Sequence, residues 1–308
     1  MSYLNIDPTL CRGKFSGRWE DYGEDWIVEE KYNGDRRVAQ FTSEKTYFTG
    51  RRDGVNSANK RDVSSCLPVL GGPAESEFHG LILDGELTVP GGNHSDVTKV
   101  VGGSAVHAAQ VLADPKHPGI VYRAFDILAE PGKDLTLYSW DYRRKRLAAW
   151  VSHLQDSRLT KWPKARIEIS ESYANPGHIV HGQSFGETLY KTILKKIGEG
   201  VVLKYRKSKY ADQRFWVKVK PWDSKVVRCT GFKMGEPGKF EGLVGSLHFI
   251  DEATGIRGSC NGMTDGERLY MTLNQKDLIG RLFEVRYTTV LESGKLEHPR
   301  FHSWAPLF

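Results

Sequence analysis

The chain has no apolar run long enough to cross a bilayer as a helix, and no leader of basic, apolar and small residues at its start. Those absences speak against a membrane-anchored or secreted protein. Its four cysteines, Cys11, Cys66, Cys229 and Cys260, lack paired spacing. Neither a zinc module nor a disulfide framework fits them, and a reducing cytosol, bacterial or phage-infected, is the expected compartment. The 10 histidines do not cluster at metal-ligand spacing, and there is no internal repeat or low-complexity tract. What is present is 308 residues, room for two domains, with 32 glycines and a formal charge of +6. Such a basic excess permits a polyanionic partner without requiring one. The stretches Arg143-Arg144-Lys145-Arg146 and Lys204-Tyr205-Arg206-Lys207 carry more weight as nucleic-acid contacts. The first also reads as the wet face of a helix from Asp141 to Leu154.

The most informative segment is Glu29-Glu30-Lys31-Tyr32-Asn33-Gly34-Asp35-Arg36, directly after the apolar Trp26-Ile27-Val28. Strand alternation puts Ile27, Glu29 and Lys31 on one face and Trp26, Val28 and Glu30 on the other. Asn33-Gly34 signals a turn, because both residues tolerate positive φ and glycine admits a close neighbour. A second strand-like stretch follows, Arg37 to Phe41. A lysine and an arginine flanking such a turn could bracket a phosphate and a sugar; a hairpin with solvated charges accounts for the same letters.

Four later segments add to it. Leu81 to Val89 is an apolar strand interrupted by Asp84 and Glu86, carboxylates that need a cation or donors if buried. In Tyr122 to Leu128, Phe125 reads as core or as a platform for a purine ring. Glu199 precedes Gly200 and the strand Val201 to Tyr205, after a helical stretch from Glu187 to Ile197. In Phe215 to Pro221, Trp216, Lys218 and Lys220 share a face. Two such lysines mark a solvated edge, or paired positive charge beside a polyphosphate.

In this order, Lys31…Arg36, Asp84-Gly85-Glu86, Phe125-Asp126, Glu199-Gly200 and Lys218-Val219-Lys220, the set resembles the motifs of the covalent nucleotidyltransferases. Within them it is similar to the small, core-only ATP-dependent DNA ligases of phage type. Asn33 fills a slot more often held by Asp. The resemblance implies an α+β chain: a nucleotidyltransferase (adenylation) domain of antiparallel sheets over residues 1–221, then an OB-fold β-barrel over 222–308. It implies Lys31 as the nucleophile that accepts AMP from ATP, passing it to the 5′-phosphate of a nick that the 3′-hydroxyl then closes. By motif, Arg36 and Glu86 would contact the ribose or the nick, Phe125 the adenine, and Lys218 and Lys220 the α-phosphate. Glu29 joins the nucleotide-binding set. Arg51 matches the family's second motif, with Arg52 a close competitor. Magnesium or manganese would be held by Glu199 and Glu86. An uncharged lysine is needed for attack, and Arg36, Lys218, Lys220 and the metal are the expected source of positive field. Nicked duplex DNA is the implied partner, bound by a monomer.

The barrel expectation has its own signals: strand-like runs at Lys225 to Phe232, Val244 to Ile250 and Leu282 to Val290, and a tail through Phe301. Helical signal there is confined to Gln275 to Ile279, with Thr264-Asp265-Gly266 read as a turn. The stretch from Gly91 to Gly119 reads as an insertion with a short helix, Val106 to Leu112, and chiefly as a surface excursion. The terminal Arg-x-Asp-Lys of many relatives is missing; the chain ends Pro299-Arg300-Phe301-His302-Ser303-Trp304-Ala305-Pro306-Leu307-Phe308. An RNA ligase, an mRNA-capping guanylyltransferase and a catalytically silent nick-binding protein remain as alternatives.

Overall fold

In a computed structural model, which describes residues 8, 10–52, 60–67, 70–157, 164–196, 199–291 and 293–305, the chain divides into two units, Met1–Val219 and Lys220–Phe308. The first opens with β1 (Trp26–Glu30), β2 (Asp35–Phe41), β3 (Thr46–Arg52), β4 (Lys60–Asp62) and β5 (Ile82–Thr88). Next come α1 (His94–Val101), α2 (Ala105–Ala113), β6 (Ile120–Glu130), β7 (Lys133–Asp134) and α3 (Trp140–Asp156). β8 (Ala165–Ile169), β9 (Ser172–Ala174), β10 (Ile179–Val180), β11 (Gln183–Ser184), α4 (Phe185–Lys195), β12 (Val201–Tyr205) and β13 (Trp216–Val219) complete it. One sheet runs β13-β12-β1-β9 and a second β4-β3-β2-β5-β6-β7, with β8 parallel to β6.

β1 and β2 are consecutive but do not pair. β1 lies between β12 and β9, while β2 lies between β3 and β5. Residues 31–34 therefore carry the chain from one sheet to the other, and the hairpin reading falls. Alternation sorts the faces as the sequence implied. Val28, Val201, Leu203, Val217 and Val219 join Trp19, Tyr22 and Ile193 of α4 in one core. Ala39, Phe41, Leu83, Leu87 and Tyr122 belong to another, covered by α1, α2 and α3. Val38, Ile82 and Leu128 turn away from it to meet Tyr210 and Trp216, joining the sheets across a cleft.

Two expectations change here. The 91–119 stretch is no surface excursion: Val97, Val100, Val101, Ala108 and Leu112 are buried in the main core. Asn93 and Asp96 start α1 with a capping box and Ser104 caps α2, each such cap stabilising by about 1 kcal/mol. The basic run on α3 is mostly consumed inside the fold. Helical periodicity turns Arg143 inward with Leu147, and Arg143 is fully buried. Its Nε and Nη2 donate to the two oxygens of Asp126 at 2.7 and 2.9 Å, and Nη1 donates to the carbonyls of Tyr138 and Ser208. Arg144 donates to Ser170 and Arg146 to Glu130. Because Ser208 follows β12, this one guanidinium ties α3 and β6 to the opposite sheet.

The second unit contains β14 (Asp223–Met234), β15 (Val244–Ile250), β16 (Arg257–Cys260), α5 (Asp265–Leu273), α6 (Gln275–Leu278), β17 (Leu282–Tyr287), β18 (Thr289–Val290), β19 (Leu296–Glu297) and β20 (Arg300–Trp304). Its sheet is ordered β16-β15-β14-β17-β20, around Val227, Leu247, Phe249, Phe283, Val285 and Phe301. A parallel bridge joins Asn261, just past β16, to Arg300 on the far edge strand. α5 corrects the turn read at 264–266. The Thr264 hydroxyl accepts from Glu267 N–H, and the Glu267 carboxylate accepts from Thr264 N–H, so those residues start a helix. No described helix is long and apolar enough to cross a membrane.

Removing one partner of a buried ion pair leaves a charge unpaired, at a cost of about 3–5 kcal/mol. We expect Arg143→Ala to lose about that much in urea unfolding, and Asp126→Leu combined with Arg143→Met to recover most of it. A loss below about 1 kcal/mol in the single variant would show that the pair does not hold the sheets.

Candidate active site

β1 ends at Glu30, yet the Lys31 N–H still donates to the carbonyl of Gly200, 2.9 Å away. Lys31 thus leaves the strand in register with the start of β12. The crossing then needs Gly34, though not for its freedom in φ. Neither Asn33 nor Gly34 has left-handed φ. A Cβ at Gly34 would collide with the Leu87 carbonyl and lie 2.9 Å from Glu86 Cγ. His94 of α1 covers the same turn, with Nδ1 2.8 Å from the Gly34 carbonyl oxygen.

The Lys31 ammonium is ion-paired with the Glu199 carboxylate, both side chains about a quarter exposed at 24%. Glu86 joins them electrostatically. Burial pushes its carboxyl up to about 7, while the charges of Lys31 and Arg36 pull it down and those of Glu199 and Asp35 push it further up. Lys31, Arg36, Glu86 and Glu199 are therefore brought together. Arg36 is already committed: Nε and Nη2 donate to the Asp84 carboxylate at 3.0 and 2.6 Å, and the Tyr210 hydroxyl donates to the same carboxylate at 2.6 Å. Burial works against the Arg36 charge, but Asp84 more than offsets it. The expectation of a lysine ringed by cations is corrected in this respect: its direct partner is a carboxylate, and the nearby guanidinium is neutralised.

Deeper in the cleft, Lys204 donates to Glu29 at 2.7 Å and stands 4.2 Å from the Trp216 ring centroid and 4.8 Å from that of Phe125. Burial pushes the Glu29 carboxyl up, opposed by Lys204 and Arg144. Arg144 is 3.9 Å from Glu29 Oε1, beyond hydrogen-bond reach. Oε1 of Glu29 and Nε1 of Trp216 are buried without a hydrogen-bond partner among the described residues, and leaving such atoms unpaired is costly. Half-buried Phe125 lies beside them, with the Arg36 guanidinium 5.2 Å from its centroid.

Lys204 and Tyr210 carry no signal of this role in the sequence, whereas Asp84, a carboxylate that needs a cation if buried, finds it in Arg36. In the sequence Lys204 reads with Tyr205-Arg206-Lys207 as a basic nucleic-acid contact, but alternation from Gly200 and Val202 turns it into the cleft. Arg206 pairs with Asp141 and Lys207 with Asp25, so those two charges are matched within the chain while Lys207 stays exposed. Lys218 is exposed on β13, opposite Val202, which is opposite Glu29. Lys220 opens the second unit. Arg51 and Arg52 end β3, and their side chains, like Ile197, lie outside the described residues.

Comparison with known proteins follows the same lines. A family model described as ATP dependent DNA ligase domain matches residues 14–220. The bifunctional non-homologous end joining protein LigD of Bacillus subtilis is 26% identical over 222 residues, 68% of this chain and 34% of its own length. DNA ligase 4 of Neurospora crassa is 28% identical over 247 residues, 70% of this chain and 22% of its own. The chain thus spans about a third or less of these curated relatives. A solved structure from a study of DNA binding with a minimal scaffold in Lig E DNA ligases superposes with a TM-score of 0.65 at 18% identity, covering 98% of this chain and all of that one. At that identity the likeness is one of fold.

A raised carboxyl binds its proton in the folded state where the unfolded chain has already lost it. Glu86 should therefore lower stability progressively as pH rises from the ordinary 4.5 to about 7. We expect Glu86→Gln to gain about 3 kcal/mol over wild type across that window in urea unfolding, with the gap flat above pH 8. Parallel pH curves for the two proteins would contradict this.

Proposed function

The chain belongs to the family of ATP-dependent DNA ligase domains, and from that premise we propose that it seals nicks in duplex DNA through AMP carried on Lys31. The observation that carries this reading is the meeting of Lys31 with Glu199, beside Glu86 and Arg36, where the chain passes between two sheets. The Lys31 amine, once deprotonated, attacks the α-phosphorus of ATP, forming a phosphoramidate and expelling pyrophosphate. AMP then moves to the 5′-phosphate of the nick, restoring the lysine. The 3′-hydroxyl attacks that phosphate, closes the backbone and releases AMP. In this chemistry positioning and charge neutralisation do most of the work.

The unpaired Glu29 oxygen suits a base that offers an amino group, as adenine does, and Phe125 supplies an aromatic wall beside it. By motif, Arg36 and Glu86 serve the ribose or nick, Lys218 and Lys220 the α-phosphate, and Arg51 the family's second motif. Glu199 and Glu86 fit magnesium or manganese, which is commonly held by one or two carboxylates with substrate phosphates and water completing the shell. Among the described residues no group of three or more such ligands occurs, in keeping with a site that substrate must finish. The metal would neutralise phosphate charge there. Residues 1–221 act as the adenylation domain. The antiparallel order β16-β15-β14-β17-β20 and the Asn261–Arg300 bridge support an OB-type barrel over residues 222–308.

Intact-mass spectrometry after ATP and magnesium should find one AMP on the wild type, mapped to Lys31, and none on Lys31→Ala. Label persisting in the variant would place the nucleophile elsewhere. Glu199→Ala should keep the wild-type circular dichroism and slow AMP attachment on the order of a hundredfold. Nicked duplex DNA, assayed beside nicked RNA and with GTP replacing ATP, separates this reading from RNA joining and guanylyl transfer.

A further inference from the structure

We propose that His94 of α1 is a positioning residue for the Lys31 amine, clamping the far end of the crossing on which that lysine stands. That the held amine is a nucleophile rests on the ligase reading above. The near end of the crossing is held by backbone, the Lys31 N–H on the Gly200 carbonyl. At the far end a side chain takes that part: His94 Nδ1 lies 2.8 Å from the Gly34 carbonyl oxygen, across 60 positions of sequence. A carbonyl only accepts, so Nδ1 donates and carries the hydrogen of the neutral ring, leaving Nε2 bare. The imidazolium also keeps a hydrogen on Nδ1, so the bond survives either charge state of the ring.

An exposed ring can hold a turn only if its own backbone is fixed, and here it is fixed on both sides. Asn93 Oδ1 accepts from the Ser95 N–H at 2.8 Å, and the Asp96 carboxylate accepts from the Asn93 N–H at 3.0 Å. The Thr98 hydroxyl donates to the His94 carbonyl at 2.9 Å. Val97, Val100 and Val101 fasten α1 into the main core. At the other end of the helix, Arg61 Nη2 donates to the carbonyls of Val101 and Gly102 at 3.0 and 2.8 Å. The Arg61 carbonyl accepts from Arg37 Nη1 at 2.7 Å, and Arg37 Nε donates to Asp35 at 3.1 Å. Asp35 directly follows Gly34, so a circuit of hydrogen bonds leaves the crossing through His94 and returns to it beside the same peptide.

The clamped carbonyl belongs to the residue that approaches Glu86 most tightly, since a Cβ on Gly34 would lie 2.9 Å from Glu86 Cγ. Slack in this clamp therefore moves Lys31 and Arg36, on either side of Gly34, against Glu86. Misplacing a reacting group by about 1 Å can cost on the order of a hundredfold in rate. Such slack acts on the rate of the chemical step and leaves the grip on ATP alone.

The test compares the full chain as wild type, His94→Ala, His94→Asn and His94→Gln. The amide nitrogen of asparagine can stand in for Nδ1, whereas that of glutamine stands in for Nε2, so asparagine alone keeps the bond. Hydrogen exchange in the peptide covering residues 31–36 should quicken about tenfold in the alanine and glutamine variants and stay near wild type in asparagine. Single-turnover AMP attachment at saturating ATP should slow about tenfold in the same two variants, with the half-saturating ATP concentration unchanged. Wild-type exchange in His94→Ala would overturn the clamp. So would quickened exchange with an unaltered rate of AMP attachment, or a raised half-saturating concentration alone, which would make His94 an ATP contact. A wild type that shows this exchange pattern across the variants yet takes no AMP removes the ligase reading and leaves the clamp in place.

Discussion

The first unit depends on a constraint of chain passage. β1 and β2 are neighbours in sequence but lie in different sheets, so four residues must cross between them under the Leu87 carbonyl. Only a residue without Cβ fits at Gly34. The same crossing forces Lys31 out of the sheet beside Gly200, and so beside Glu199. Position of the amine is thus a by-product of how two sheets are joined, and α1 reinforces it through His94.

Charge in the cleft is arranged in nested pairs. Glu29 is matched by Lys204, Asp84 by Arg36 and Tyr210, and Asp126 by Arg143. Each buried carboxyl is thereby met by donors, as an apolar interior requires. What is left over is informative: a raised Glu86 and an unpaired oxygen on Glu29 are the places where the protein alone does not complete its own electrostatics. The Lys31–Glu199 pair, by contrast, is partly open to solvent.

Much of this was legible in the letters. Period-two alternation assigned the faces of β1 and β13 correctly, because each strand has one face against an apolar core and the other toward the cleft. The ordered motifs located the lysine, both glutamates and the arginine that converge on it. Sequence reasoning failed where meaning depends on distant partners. Arg143 and Lys204 look like surface charge until Asp126 and Glu29, far off in sequence, are brought to them. Thr264-Asp265-Gly266 looks like a turn because glycine and aspartate dominate it, although Glu267 supplies the reciprocal cap. Gly34 was credited with φ freedom, when proximity of another strand is what selects it.

The register of β1 against β12 has a consequence for how such chains can diverge. Adding or deleting one residue between Trp26 and Lys31 would swap Val28 with Glu29, sending a carboxylate into the Trp19 core and an aliphatic group into the cleft. Side-chain chemistry along this strand can drift, but its length cannot. Evolutionary change in size must be absorbed elsewhere, in connections whose ends do not dictate which way a neighbouring side chain faces.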